Sequence, residues 1–119
     1  MLVQTVAPTA IVGTILLLAL FLSITAHIAA RNVLGNVNPR RAIYVGPLPA
    51  VVGVAGGALA LPAYILLPVA IVIDGFMFRW SYEQPIHVVI TMTVIHVVVT
   101  VLIAVVFGGI AALLSTRPG

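Results

Sequence analysis

Long apolar runs separated by two short polar breaks set the pattern of this chain. Residues 8–30 are apolar almost throughout, and as a helix rising 1.5 Å per residue they reach about 34 Å, enough to cross a hydrocarbon core of about 30 Å. No Lys or Arg precedes this run, and it is longer than the apolar stretch of a secretory leader, so it reads as a retained spanning helix. Residues 31–41 (RNVLGNVNPRR) form a polar loop with turn chemistry from Gly35, Asn36, Asn38 and Pro39. Residues 42–78 are apolar again. One helix of that length would run about 55 Å, so the region must fold back on itself.

The break falls at Gly56-Gly57 and Pro62, because glycine pairs and proline bend or stop helices. Two short spans result, at about 42–58 and 61–78. They cross the membrane twice, or they form a re-entrant pair that dips and returns. Either way the flanking loops lie on one side. Residues 79–86 begin RWSYEQP, where the rings of Trp80 and Tyr82 suit headgroup depth and Arg79 and Glu83 need water. Residues 87–114 make the last span, long enough to tilt. The expected fold is therefore all-α: one transmembrane domain over residues 1–119, a four-helix bundle with loops at about 31–41 and 79–86.

Composition supports lipid as the solvent. Of the 119 residues 63% are hydrophobic and 6% charged, against about 25% charged in soluble domains. The net charge of +3 comes from arginine alone. These arginines punctuate the gaps between apolar runs and form no clustered basic face, which points away from nucleic acid and towards membrane orientation. Arg31, Arg40, Arg41 and Arg79 share the loop side, with Arg117 opposite, so the loops are expected in the cytoplasm of a cell membrane and both termini outside. The absence of cysteine excludes disulfides, thiolate zinc sites and thiol catalysis.

Small residues suggest where helices approach. Gly46, Ala50, Gly53 and Gly57 lie within about 60° of one another on a helix, a stripe suited to close packing. Thr93, His96, Thr100, Ala104 and Gly108 make a second row on the last span, in which the threonines can simply bond back to their own helix.

Ionisable groups in apolar spans are costly and mark candidate sites. His27, Asp74 and His96 all fall roughly 6 to 14 Å from the loop-side boundary by residue count, so they can meet. Ser23, His27 and Arg31 follow at four-residue intervals, and Asp74 needs a cation or a proton. A buried polar cluster of His27, Arg31, Asp74 and His96 is expected. It would act as a hydrogen-bonded clasp between helices or as a proton path. Haem held by His27 and His96 is a weaker alternative. No C-x-x-C-H motif is present, and His87 and His96 point about 180° apart. No cofactor or metal is assigned, and nothing resembles a nucleophile elbow.

In HIAARNVLGNV (27–37), GPLPAVV (46–52), IDGFMFR (73–79) and HVVVT (96–100) the chain resembles small uncharacterised haloarchaeal membrane proteins. That resemblance implies a four-helix protein of an archaeal cell membrane and carries no reaction with it. The sequence thus reads as a non-enzymatic membrane protein, working as a homo-oligomer or an accessory subunit among other membrane proteins. The alternative is a small proton-coupled permease or channel using Asp74 and His96.

Overall fold

The computed structural model describes residues 8–116. Arg117 and the chain termini lie outside the described residues. Helix α1 is Pro8–Leu34, α2 Arg40–Ile43, α3 Pro47–Ala58, α4 Ala63–Tyr82 and α5 Ile86–Ser115. Four helices, counting Arg40–Ala58 as one, are long and apolar enough to cross a membrane, as expected of a multi-pass membrane protein. They form a ring in which α1 packs on α3 and α5, and α4 packs on the same two.

Local chemistry sets the helix ends. Gly35 adopts φ 83° and its N–H bonds to the Arg31 carbonyl at 3.0 Å, a left-handed cap that ends α1 four residues beyond the expected boundary. The Asn38 side chain accepts the Arg40 N–H at 3.0 Å, turning the chain into α2. Pro47 opens α3, where its missing N–H costs nothing. The α3–α4 turn is a Schellman arrangement. Leu61 N–H bonds to Gly56 O at 2.9 Å and Ala60 N–H to Gly57 O at 3.0 Å, with Ala60 itself left-handed at φ 57°. The break therefore falls after Gly56-Gly57, at residues 59–62.

The polar string from Arg79 continues as the last turn of α4, and the chain stops only at Glu83, left-handed at φ 53°. Trp80 is exposed, as an interfacial ring should be. Tyr82 is not. It is buried and tilts against Phe78 at 5.7 Å, because the extended helix carries it back onto the core face one turn beyond Phe78.

The two loops share one end of the bundle. Ser81 donates its hydroxyl to the Arg41 carbonyl at 2.7 Å, and the Arg41 guanidinium donates to the Ser81 carbonyl. Burial is concentrated in this loop-side half: Ala26, Ala29, Ala30, Ala42, Val45, Phe78, Tyr82, Val89 and Met92 form one core cluster. At the distal end almost every residue of α5 from Val101 to Thr116 is exposed.

The small-residue stripe is only partly a packing face. A Cβ on Gly46 would lie 2.5 Å from Ala19 O and 2.6 Å from Ser23 N, so backbone meets backbone there. Ala50 is fully buried, and Gly53 has ordinary room beside Leu18. Gly57 and Gly108 have nothing within 4 Å of such a Cβ among the described residues, so neither packs against another helix of this chain there. The reason is that α3 ends at Ala58, where its partner is the α4 hairpin; that face belongs to Gly56, whose Cβ would strike Leu66. Gly108 lies in the exposed distal part of α5.

Candidate functional site

Three helices bring their polar side chains to one point in mid-bundle. Asp74 faces inward from α4, one turn before the buried Phe78, and His96 faces inward from α5. The two residues are 4% and 3% exposed. His96 Nδ1 lies 2.5 Å from Asp74 Oδ2. His96 Nε2 lies 2.8 Å from Thr25 Oγ1 and 3.1 Å from the Leu22 carbonyl, both on α1. Thr100, one turn beyond His96, donates to Thr25 Oγ1 at 3.0 Å, and Thr25 donates to Leu22 O at 3.1 Å. Phe78 meets the imidazole edge to face at 5.3 Å.

One tautomer of His96 satisfies all of these contacts at once. A carbonyl can only accept, so in this tautomer Nε2 carries the hydrogen that Leu22 O receives. Thr25 spends its own hydrogen on Leu22 O and therefore accepts from both Thr100 and Nε2. At Nδ1 a 2.5 Å approach to a carboxyl oxygen also requires a hydrogen between the two atoms. That hydrogen belongs to a neutral acid facing a neutral imidazole or to an imidazolium facing a carboxylate. Both forms are neutral overall. In this tautomer the pair shares one proton, and a pair without it would put a net negative charge among apolar side chains.

The surroundings are asymmetric. On the loop side the pair is sealed by Ala26, Ala29, Phe78 and Met92, all fully buried. On the distal side lies a cavity of about 200 Å³ to which all four long helices contribute. Asp74 and His96 form its floor, Leu22, Pro49, Ala70 and Val97 its wall, and the exposed Leu67 and Val101 its rim. Asp74 Oδ1 is buried and has no hydrogen-bond partner among the described residues.

A family model described as a family of unknown function, DUF7473, matches residues 5–118. The chain belongs to the DUF7473 family. No curated protein and no solved structure matches it. The family description assigns no chemistry to DUF7473, in keeping with the resemblance to uncharacterised membrane proteins, so the geometry alone carries the functional reading.

Of the four residues expected to cluster, this DUF7473 chain brings together Asp74 and His96. Arg31 is exposed near the loop end of α1 and is not bonded to Asp74. His27 is half-buried, and its Nδ1 has no partner among the described residues. The place expected for His27 is taken by Thr25, two residues earlier and so about 200° round the helix. Once Thr25 faces α5, His27 must face elsewhere. Thr93 bonds back to Val89 O at 2.8 Å, as a threonine in a helix readily does, whereas Thr100 crosses to α1. The two expected haem ligands do not meet: His96 has hydrogen-bond partners at both ring nitrogens, and on α1 it faces Thr25, about 200° round the helix from His27.

Proposed function

We propose that this chain is a small, non-enzymatic, proton-coupled membrane permease or channel in which the Asp74–His96 pair takes up and releases the transported proton. The supporting observation is the buried Asp74–His96 contact at the floor of a cavity open on one side and sealed on the other. A titratable site deep in the bilayer is useful to a transporter if it is reached from one side at a time. Here Phe78 and Met92 stand where a loop-side path would have to open. The arginine count places the loops in the cytoplasm, and the sequence resemblance suggests an archaeal cell membrane as the setting. The partners under this reading are the bilayer and the proton, with no nucleic acid.

The test is reconstitution of the protein alone in liposomes, with proton entry followed by an internal dye after an acid pulse. Wild type should acidify the lumen, whereas Asp74→Asn, which keeps a hydrogen-bonding group but cannot ionise, should fold and remain silent. Flux equal to that of protein-free vesicles would refute the reading.

A second reading, an accessory subunit or homo-oligomer, is favoured by the distal half of α5. A Cβ on Gly108 or Gly109 there would meet nothing within 4 Å among the described residues, and small residues admit a second helix closely. Co-purification of a stoichiometric second chain, or a defined oligomer in mild detergent, would support it.

A further inference from the structure

We infer that the distal cavity binds a small monovalent organic cation, of the alkylammonium class, in exchange for the proton shared by Asp74 and His96. The inference rests on the proton-coupled reading and names the second species that the same site would handle.

Three features of the cavity define the ligand. Its volume of about 200 Å³ is smaller than the 300 to 1,000 Å³ of sites for drug-sized molecules, so the ligand is small. Its wall and rim are mostly aliphatic, from Leu22, Pro49, Leu67, Ala70, Val97 and Val101, and the one hydroxyl among them, on Thr100, spends its hydrogen on Thr25. A hydrated inorganic ion would have to shed its water there, and a bare one would need six or more oxygens that these residues cannot supply. At the floor stands one carboxyl group whose Oδ1 is buried and lacks a partner among the described residues. A single positive charge in an apolar coat satisfies both the wall and the floor.

Charge balance then sets the stoichiometry. With its shared proton the pair is neutral, so adding a cation would leave a net positive charge in the bilayer, which is as unfavourable as a net negative one. Entry of the cation must therefore expel the proton. The hydrogen between Nδ1 and Oδ2 leaves to water in the cavity, and the carboxylate faces the cation. His96 stays neutral, with its Nε2 hydrogen still directed at Thr25 and Leu22 O. The site passes from one neutral state to another, and the 2.5 Å Asp74–His96 contact, no longer bridged, lengthens.

Tetramethylammonium is a suitable probe because its charge is fixed and it carries no dissociable proton. Titrated into purified full-length protein in weakly buffered detergent, it should release close to one proton per chain, saturably, with sodium chloride as the control. Its affinity should rise with pH by up to tenfold per unit, because cation and proton compete for one carboxylate. Ala70→Phe, which fills the cavity and leaves the pair intact, should abolish both binding and release. Absence of binding to wild type, binding with no proton released, or an affinity independent of pH would each overturn the inference. Acid-driven flux in liposomes from a protein that fails to bind the probe would overturn it while leaving the proton-coupled reading standing.

Discussion

Gly46 rests directly on the backbone of α1 at Ser23, closer than any side chain would permit. This contact joins α3 to α1 just distal to Thr25, so it holds the helix that supplies one wall of the polar site. Gly46→Leu should therefore destabilise the protein by at least about 1 to 3 kcal/mol, the range for overfilling a packed site. Gly57→Leu, at a position with open space around it, should leave the melting temperature in detergent unchanged. Equal losses for both substitutions would contradict the packing described.

The hairpin between α3 and α4 offers a gain. Ala60 is held at φ 57°, a conformation that disfavours any residue with a Cβ by roughly 1 to 2 kcal/mol. Ala60→Gly should raise stability, by about 1 kcal/mol at most after the extra freedom of the unfolded glycine is subtracted. A fall in melting temperature would mean that the turn is not left-handed at this position.

Topology has a direct reporter. Asn36 and Glu83 are both exposed and belong to the two loops that Arg41 and Ser81 tie together. Single cysteines at these positions should react with an impermeant reagent from the same side, the cytoplasmic one by the arginine count. Labelling from opposite faces would contradict the paired loops.

Removing Thr25 should be more damaging than its size suggests. Thr25→Val keeps the shape but deprives both Thr100 and His96 Nε2 of an acceptor, and a buried donor left unmade costs about 1 to 3 kcal/mol. Leu22 O still receives Nε2, so the loss should lie at the lower end of that range. Asp74→Leu should cost more than Asp74→Asn, because leucine leaves His96 Nδ1 facing an apolar side chain. Thermal unfolding of the three variants in one detergent would check the order.

The number of long apolar helices, their approximate bounds and the Asp74–His96 meeting were legible in the sequence. Apolar run length and distance from the polar loops are one-dimensional quantities, and both survive folding. What was not legible depends on which faces of a helix are covered. Helix α1 lies between α3 and α5, so Ser23 and Thr25, about 200° apart, are both buried, and the stripe from Ser23 through His27 to Arg31 does not lie on a single interface. The end of α4 was obscured for a different reason. A polar string resembles a loop, yet Arg79 to Tyr82 remain helical because the core accepts Tyr82 and Ser81 bonds across to Arg41. Thr25 itself was visible as a hydroxyl at the depth of the two histidines, without the helix neighbours that would have singled it out.

Nitrogen-15 NMR of His96 tests the shared proton most directly. Selectively labelled protein, with the resonances assigned by His96→Gln, reports which ring nitrogen carries hydrogen. A directly bonded hydrogen at Nε2 near neutral pH is the expected result, with a second hydrogen detectable between Nδ1 and Asp74 and lost in Asp74→Leu. An unprotonated Nε2, accepting instead from Thr25, would make the buried pair a carboxylate beside a neutral imidazole with a net negative charge, and would contradict the one-proton site.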